Sequence, residues 1–423
     1  MFSRENLKAI LSEQRADLLG RDGGTPREDL AVVEKKIPLP HVLVITGVRR
    51  CGKSTLLRQI IRKNYDDKEF YYVTFEDERL LGFKPSEFSQ IYEALLDLYG
   101  EKKTFFLDEV QNIPGFDAFV RRFSDNGFKF FVTGSNARLL SQEISTRLTG
   151  RHLDIRLRPF SFMEFLGLRG FELTGESAYG PASRSRLRAR FDEYLEHGGM
   201  PDYAKNHDRQ ILKQVYEDIV LKDIVVRRKI SNEMPMRELY RYVITNFANK
   251  YSYHSLADAL GMKSVNTVKN YLGFLEDAYF MRQVCKFDYS YRKQIANDRK
   301  PYICDNGFIT TLSARPMQDK GWLLENMVFN ALEPQGEVYY GSDGGRECDF
   351  LLVRERQVKM AVQVAWELHE KNKEREMSGL TNAMKAYHLK EGLLLTYDQE
   401  EEHRMPEGRV RVKPVWKWLL ESR

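Results

Sequence analysis

The sequence contains few cysteines, and their spacing argues against cysteine-based sites. Its four cysteines, at positions 51, 285, 304 and 348 of 423 residues, are scattered and form neither a metal-ligand nor a redox pattern. A disulfide-stapled secreted domain and a cysteine-rich zinc site are therefore excluded. We predict four reduced thiols without a chemical role of their own, as in a cytoplasmic protein.

Long apolar segments are also lacking. No run approaches the roughly 20 apolar residues that are needed to cross a bilayer. The first residues, MFSREN, contain no basic segment followed by an apolar one, so we predict no signal peptide. We accordingly expect no membrane partner.

The chain has almost no excess of charge of one sign. The 66 Lys and Arg residues face 61 Asp and Glu residues, which gives a net charge of +5. A DNA-binding surface depends on a local cluster of cations, which a sum over the whole chain does not reveal. The overall charge therefore neither indicates nor excludes nucleic acid. The length exceeds what one ordinary core needs and predicts two or three domains.

A complete phosphate-binding pattern, G-x-x-x-x-G-K-[ST], occupies residues 47–54. An apolar run at 42–45 predicts a buried strand before it, and residues 55–61 predict a helix whose amino terminus faces the anion. We expect Lys53 to reach the β- and γ-phosphates of a nucleoside triphosphate and the Ser54 hydroxyl to bind Mg²⁺. A chance glycine-rich turn would not explain the flanking strand and helix. The residues predicted to hold the triphosphate are Gly47, Arg49, Arg50, Cys51, Gly52, Lys53, Ser54 and Thr55.

A second strand end carries two adjacent acids. Residues 104–107 predict a buried strand that ends in Asp108 and Glu109. In P-loop ATPases an Asp at this point holds Mg²⁺, and the next Glu polarises the attacking water. Asp108 is therefore the candidate metal ligand and Glu109 the candidate catalytic base. The alternative is a pair of solvated acids after a core strand.

Two further groups could act on the γ-phosphate. Strand 129–133 leads to Ser135 and Asn136, either of which could orient water, although a helix N-cap is an equal alternative. Arg151 or Arg147 could stabilise the transferred phosphoryl group, in cis or across a subunit interface, or could be a surface arginine. The alternating strands and helices predict a parallel sheet with nucleotide at its carboxyl edge.

These motifs together resemble the AAA+-type ATPase family of archaea and bacteria. The similarity lies in the blocks GVRRCGKS, LDEVQ, TGSN, LTGR and LRPFSFMEF, and it continues into GGMP and DIVLKD. In that family a P-loop ATPase module is fused to a winged helix and a C-terminal domain of uncharacterised function. The resemblance implies ATP as the ligand, Mg²⁺ as the cofactor and ATP hydrolysis as the activity.

The middle of the chain begins with a segment rich in Gly, Ser and Arg. Residues 167–190 predict a mobile insertion or connector, and residues 191–228 predict an amphipathic helical lid. Residues 235–305 have the pattern of a winged helix, whose helices are predicted at 236–244, 255–260 and from 264 onward.

The third of these helices has the polar face of a recognition helix for a DNA major groove. Its outward residues are Ser264, Asn266, Thr267, Lys269 and Asn270. Segment 286–300 interleaves tyrosines with cations, as a wing that touches phosphates would. The residues concerned are Tyr289, Tyr291, Arg292, Lys293, Arg299 and Lys300. The alternative is a winged helix used only for protein packing.

The pattern of the last third of the sequence predicts elements in the order helix, three strands, helix, strand. This order resembles the core of PD-(D/E)XK nucleases. Glu325 and Asp349 match two of the metal-binding acids of that core. The third strand departs from it, because Gln363 replaces the usual acid and Ala365 the usual lysine. An amide can ligate a hard cation but adds no charge. Glu325, Asp349 and Gln363 are thus either a candidate metal site or a remnant in a binding fold. The groups that could replace the missing acid and lysine are Glu367, Lys371 and Lys373.

We therefore predict an α/β chain: a P-loop NTPase parallel sheet with a helical lid, followed by a winged helix and a PD-(D/E)XK-like α/β domain. The expected bounds are 1–165 for the ATPase core, 166–232 for the connector and lid, 233–312 for the winged helix and 313–423 for the last domain. The leading hypothesis is an Mg²⁺-dependent ATPase that couples ATP turnover to DNA or protein binding. The alternatives are an ATP-switched DNA-binding regulator and a nuclease with an altered site. A second copy of the chain or another protein is a further candidate partner.

Overall fold

The computed structural model describes residues 3–80, 82–113, 115–135, 150–171, 180–314 and 320–421. The chain divides into two compact units, Met1–Pro159 with Asp277–Tyr279, and Phe160–Glu276 with Phe280–Arg423. The four-domain division expected from the sequence stays a prediction. Among the described helices, none combines the length and apolar character needed to cross a membrane.

The first unit is built on a five-stranded parallel sheet with the order β2-β3-β4-β1-β5. Its strands are β1 (Val42–Thr46), β2 (Phe70–Thr74), β3 (Thr104–Asp108), β4 (Lys129–Gly134) and β5 (His152–Arg156). Its helices are α1 (Arg4–Gly20), α2 (Asp29–Glu34), α3 (Lys53–Asn64), α4 (Phe88–Tyr99) and α5 (Phe116–Ser124). The predicted α/β class with a parallel sheet is confirmed.

Phenylalanines on both faces of β3 and β4 explain why these strands are central. Phe105 stacks on Phe130 with ring centroids 5.0 Å apart, and Phe106 stacks on Phe131 at 4.4 Å. Because neighbouring residues of a strand point to opposite faces, these pairs lie on opposite sides of the sheet. A strand that is buried on both sides reads as a continuous apolar run, which is the pattern seen in the sequence.

The second unit begins with helices. They are α6 (Phe162–Leu168), α7 (Pro181–His197), α8 (Pro201–Asn206), α9 (Arg209–Asp218), a π-helix (Ile219–Val226), α10 (Met234–Thr245), α11 (Tyr253–Ala259) and α12 (Val265–Asp277). An antiparallel pair follows, β6 (Met281–Cys285) and β7 (Arg299–Ile303), with the short helix α13 (Tyr291–Ala296) between the strands. The three helices predicted between residues 236 and 277 are thus present and are followed by a hairpin.

The rest of the second unit is a six-stranded mixed sheet with the order β12-β13-β11-β10-β9-β8. The helices are α14 (Asn306–Leu312), α15 (Gly321–Leu332), α16 (Glu370–Ala386) and α17 (Val415–Glu421). The strands are β8 (Glu337–Asp343), β9 (Arg346–Arg354), β10 (Gln357–Val364), β11 (Glu391–Thr396), β12 (Glu401–Met405) and β13 (Gly408–Pro414). All four tryptophans of the chain belong to this unit: Trp322, Trp366, Trp416 and Trp418.

The region expected to be a connector contains a helix. Residues 181–190 belong to α7, whereas residues 172–179 lie outside the described residues. Leu187, Phe191 and Leu195 recur every four residues and are at most 1% exposed, so they form a buried stripe despite the surrounding arginines. Proline is well tolerated at the first position of a helix, where its missing N–H costs nothing.

A fully buried asparagine joins β7 to α15. The Asn326 amide nitrogen donates to Ile303 O and to Asn306 Oδ1, both at 2.9 Å, and Asn326 Oδ1 accepts the Ile303 N–H at 2.8 Å. Beside it, the Tyr302 ring stacks on Phe329 of α15 with centroids 4.5 Å apart. These contacts fix β7 against the helix.

Candidate functional site

The sheet order of the first unit brings three strand ends together. Because the strands are parallel, the carboxyl ends of β1, β3 and β4 meet at one edge of the sheet. β4 lies between β1 and β3, so its last residues separate the loop after β1 from the acids after β3. Lys53, Asp108, Thr133 and Ser135 therefore belong to the same edge.

The loop after β1 needs glycine at two positions. Gly47 has φ 152°, and a Cβ added there would lie 2.2 Å from the Leu157 carbonyl oxygen. Gly52 has φ 101° and precedes the first residue of α3. Both conformations are strained for residues with a side chain. The loop thus turns directly into the amino terminus of α3, whose N–H groups favour an anion.

Lys53 lies inside this loop. Its side chain is 4% exposed, and its ammonium donates to Gly47 O at 3.4 Å and to Val48 O at 3.5 Å. The Glu109 carboxylate lies 3.4 Å from the same ammonium. These contacts are long compared with the charge-assisted bonds that an ammonium can form to phosphate oxygens. Lys53 is therefore positioned to exchange them for a phosphate.

The remaining loop residues have different environments. Arg49 is half-buried and Arg50 is exposed. Burial raises the pKa of the Cys51 thiol, which keeps it protonated. Thr55 is half-buried, and a Cβ added at Gly24 would lie 2.8 Å from its methyl group. The amino-terminal segment thus packs directly on the start of α3.

Hydroxyl groups from β4 and from the start of α3 surround Asp108. The Thr133 hydroxyl donates to Asp108 Oδ1 and accepts the Glu109 N–H at 2.9 Å. The Ser54 hydroxyl lies close enough to the Asp108 carboxylate to lower its pKa. The two residues expected to bind Mg²⁺ are thus neighbours at the sheet edge. Thr133 was not among the residues singled out in the sequence.

The two acids have pKa values that are shifted in opposite directions. Burial raises the pKa of Asp108 to about 6, and the charge of Glu109 adds to this shift. Burial also opposes ionisation of Glu109, but the Lys53 ammonium and a hydrogen bond from Gln111 outweigh it and lower the pKa of Glu109. Glu109 therefore ionises at a lower pH than Asp108. A cation beside Asp108 would favour its ionised form as well.

Gln111 extends this network to the end of β4. Its amide nitrogen donates to Glu109 Oε2 and to Ser135 Oγ, the latter at 3.3 Å. Ser135, one of the two residues predicted to orient water, is buried at the sheet edge. Asn136, the other, lies outside the described residues, and so does Arg147.

Arg27 stabilises the phosphate loop through hydrogen bonds to backbone carbonyls. It is buried, and its guanidinium donates to Cys51 O at 2.8 Å and to Arg158 O at 2.6 Å. The Gln59 side chain of α3 accepts the Arg27 N–H at 3.1 Å. This arginine fixes a carbonyl inside the loop, and no motif in the sequence pointed to it.

Arg151 is not brought to the phosphate loop of its own chain. β5 pairs with β1 in parallel, with His152 opposite Val42, so Arg151 lies beside the first residue of β1. Its carbonyl accepts the Val42 N–H at 2.9 Å, and its guanidinium pairs with Asp125. The phosphate loop follows the other end of β1, about 15 Å away for a five-residue strand. A role in cis, which the sequence left open, does not fit this position.

The nuclease-like residues of the second unit meet around a lysine. Glu325 Oε1 lies 3.3 Å from Lys300 Nζ, and Asp349 Oδ1 lies 3.8 Å from it. Gln363 instead donates to Glu376 Oε2 of α16 at 2.8 Å. The groups considered as replacements in the motif, Glu367, Lys371 and Lys373, are exposed.

The expected DNA-contacting residues divide into two groups. Tyr289 and Tyr291 are 78% and 75% exposed, and Arg292 and Lys293 are exposed beside them. Lys300, in contrast, is buried, which contradicts its predicted contact with phosphate. It lies in β7, which packs on α15, and not at the tip of the hairpin, and its ammonium faces Glu347 and Asp349 of β9.

On α12 the predicted outward residues agree better with the structure. Asn266, Lys269 and Asn270 are exposed, whereas Val268 and Leu272 are buried. The polar face of this helix is therefore available to a partner.

The chain has relatives among uncharacterised proteins. It is 34% identical over 441 residues to an uncharacterised protein of Methanocaldococcus jannaschii, and the match covers 99% of this chain and 95% of the relative. An uncharacterised protein of Haemophilus influenzae is 29% identical over 349 residues, covering 79% and 84%. The structure of AMPPCP-bound DnaA from Aquifex aeolicus is 16% identical and covers 61% of this chain and 90% of that chain, with a TM-score of 0.28.

Two family models match separate parts of the chain. A model described as an AAA domain matches residues 40–166, and a model described as a domain of unknown function matches residues 188–319. The first of these contains the phosphate loop, Asp108, Glu109 and Thr133. The chain therefore belongs to the same family as the M. jannaschii protein, and its first unit carries a P-loop AAA domain.

Proposed function

We propose that the chain is an Mg²⁺-dependent ATPase. The observation that supports this most directly is the meeting of Lys53, Ser54, Asp108 and Glu109 at the carboxyl edge of the sheet. The residues fit a magnesium ion: a hydroxyl and a carboxylate lie next to each other, and the two largely buried acids have one ammonium near them. Mg²⁺ prefers oxygen ligands of this kind.

Each residue has a defined task in this proposal. Lys53 and the N–H groups at the start of α3 bind the phosphates, and Ser54 and Asp108 hold the metal. Bound Mg²⁺ would neutralise charge on the phosphate oxygens. Glu109 is ionised beside Lys53. When the Lys53 ammonium binds a phosphate oxygen, the Glu109 carboxylate becomes free to accept a proton from the attacking water. Thr133 keeps Asp108 in place.

The decisive experiment compares Glu109→Gln with the unmodified protein. The amide retains the size of the side chain but cannot accept the proton, so we expect ATP to bind within about threefold of the normal affinity and phosphate release to fall at least 100-fold. Glu101→Gln, an exposed acid before the other end of β3, is the matched control and should remain fully active. Unchanged phosphate release in Glu109→Gln would contradict the assignment of Glu109 as the catalytic base.

We further propose that ATP turnover is coupled to DNA binding by the second unit. The observation in favour is the exposed set of tyrosines and cations near the hairpin, together with the polar face of α12. Guanidinium and ammonium groups neutralise phosphates, and aromatic rings stack on bases. A protein partner or a second copy of the chain is the competing occupant of this surface.

Binding of single- and double-stranded DNA, measured by fluorescence anisotropy over a range of salt concentrations, separates these occupants. Lys269→Ala combined with Arg292→Ala should weaken binding about tenfold and reduce the salt slope by about two. Lys359→Ala combined with Arg346→Ala removes two exposed cations from the mixed sheet and serves as control. Unaltered binding in the first double variant would favour a protein partner. Stimulation of phosphate release by DNA would establish the coupling.

A further inference from the structure

The mixed sheet of the second unit contains a buried cluster of three acids around one ammonium. Lys300 Nζ lies 2.7 Å from Glu347 Oε1, 3.3 Å from Glu325 Oε1 and 3.8 Å from Asp349 Oδ1. Lys300 belongs to β7, Glu325 to α15, and the other two acids to β9. Glu325 and Asp349 are two of the three residues among which the nuclease-like pattern places a divalent cation.

The lysine is truly enclosed by this cluster. Its side chain is 6% exposed, and those of Glu325 and Asp349 are 14% and 10% exposed. An ammonium taken out of water is costly unless carboxylates and hydrogen bonds compensate it. Three acids at this distance supply that compensation, so the lysine and the acids stabilise one another.

Each acid also has a second donor from the protein. The Tyr302 hydroxyl donates to Glu325 Oε1 at 2.6 Å, and the Val364 N–H donates to Asp349 Oδ2 at 2.9 Å. Lys250 forms an ion pair with Glu347 Oε2. Five of the six carboxylate oxygens in the cluster are therefore already engaged by groups of the chain.

Gln363, the third residue of the nuclease-like pattern, is engaged at both ends of its amide. Its oxygen accepts the Asp349 N–H at 3.1 Å, and its nitrogen donates to Glu376 Oε2 at 2.8 Å. It thus links β9 to α16 and serves the packing of the sheet. The residues present do not fit a resident metal ion.

We infer that the Lys300 ammonium takes the position of the divalent cation in this acid cluster, so that the nuclease-like core is closed to metal. The lysine comes from the hairpin that follows the three-helix segment, and not from the third strand of the motif. It acts as an internal counter-ion for this acid cluster.

The lysine is held there by its own strand. Tyr302, two residues further along β7, is fully buried between Phe329 and Phe350, at centroid distances of 4.5 and 5.4 Å. Asn326 binds both the N–H and the carbonyl of Ile303. Withdrawing Lys300 would require β7 to leave this packing. The acid cluster therefore has a structural role: it joins the hairpin to the mixed sheet.

Mn²⁺ titration of the nucleotide-free full chain, followed by electron paramagnetic resonance, tests this inference independently of the ATPase site. The unmodified protein and Asp349→Asn should bind Mn²⁺ equally, because the cluster takes up none. Lys300→Met should gain one Mn²⁺ equivalent and a metal-dependent rise in melting temperature of several degrees. Lys300→Met combined with Glu347→Gln should lose most of that gain. Lys359→Met, an exposed lysine in the same sheet, is the control.

Several results would overturn the inference. One is an Mn²⁺ site in the unmodified protein that disappears in Asp349→Asn. Another is a folded Lys300→Met variant without a gain in Mn²⁺ binding. A third is Mn²⁺-dependent DNA cleavage that is lost in both Asp349→Asn and Lys300→Met, which would make Lys300 a catalytic lysine. If Lys300→Met does not fold, Mn²⁺ binding by the unmodified protein and by Asp349→Asn still shows whether the cluster takes up a metal ion.

Discussion

The Thr133 hydroxyl donates a hydrogen bond to the Asp108 carboxylate and at the same time accepts the N–H of Glu109. One hydroxyl at the end of β4 thus orients both acids at the end of β3. This is possible because β4 pairs directly with β3 and ends at the same edge of the sheet. Thr133 is therefore a positioning residue for the proposed metal ligand and the proposed base.

Thr133→Val should slow phosphate release with little effect on ATP affinity. The change keeps the shape of the side chain but removes a hydrogen bond to a charged group, which is worth about 1.5–3 kcal/mol. A loss of that size corresponds to a rate about 10–100-fold lower. Thr133→Ser keeps the hydroxyl and should retain most of the activity. Steady-state phosphate release and equilibrium ATP binding are the measurements, and equal rates for the two variants would contradict the role.

Arg27→Lys should loosen the phosphate loop. A lysine can reach only one of the two carbonyls that the guanidinium binds, Cys51 O and Arg158 O. We expect the first unit to lose about 2 kcal/mol of stability and ATP affinity to fall about tenfold. Isothermal titration with ATP and a thermal melt measure the two effects. Arg121→Lys, at a half-exposed arginine on α5, is the control. An unchanged ATP affinity in Arg27→Lys would contradict the proposed role of Arg27 in holding the phosphate loop.

Magnesium-dependent ATP binding should weaken at low pH through Asp108. Its pKa is about 6 in the nucleotide-free protein, above the usual value near 4 because of burial. Between about pH 4 and 6 the folded chain keeps a proton that the unfolded chain has lost, so the contribution of Asp108 to stability declines as pH rises through this interval and is constant above it.

Since Mg²⁺ requires the ionised carboxylate, its contribution to ATP affinity should be about fourfold smaller at pH 5.5 than at pH 7.5. Titration of ATP with and without Mg²⁺ at both pH values measures this difference. Asp108→Asn has no proton to lose and should show little magnesium dependence at either pH. A magnesium effect that is independent of pH in the unmodified protein would argue against Asp108 as the ligand.

Arg151→Ala should leave ATP affinity unchanged. The arginine lies beside Val42 at the amino end of β1 and pairs with Asp125, away from the phosphate loop. Removing an exposed pair of this kind costs at most about 1 kcal/mol of stability. Equilibrium ATP binding tests the statement, and Asp125→Ala is the matched variant. A tenfold weaker affinity in Arg151→Ala alone would show that the side chain reaches the nucleotide.

Asn326→Leu should destabilise the second unit strongly. The change leaves the Ile303 N–H without its buried acceptor and removes donors from Ile303 O and from Asn306. Unsatisfied buried polar groups cost about 1–3 kcal/mol each, so we expect a loss of at least about 3 kcal/mol in the free energy of unfolding. Urea unfolding followed by circular dichroism measures it. Asn330→Ala, which removes only two partly buried donors, should cost less than half as much.

The local part of the candidate nucleotide site could be predicted from the sequence. The phosphate loop, the strand before it and the acids after β3 are continuous in the chain, so spacing and residue type suffice to find them. The contact of Thr133 with Asp108 could not be predicted this way, because it depends on β4 lying between β1 and β3. Arg27 reaches Cys51 across 24 residues, and no periodic pattern links the two.

Lys300 shows the opposite limit. Next to exposed tyrosines and arginines it resembles a surface cation, and the sequence analysis placed it in a wing. Its actual environment is decided by α15, which packs on β7, and by the acids of β9, both of which follow later in the chain. Glu347 was missed for the same reason: only the folded sheet shows that it faces Lys300. Tertiary packing, and not local pattern, determines which charges are buried.

The confinement of all four tryptophans to the second unit gives the protein an intrinsic optical label. Emission excited at the indole band reports on the mixed sheet and its helices, and the AAA domain contributes nothing to it. Circular dichroism reports on both units together. A denaturant titration recorded with the two signals in parallel therefore distinguishes unfolding of the second unit from unfolding of the first, without an attached dye or a truncated chain.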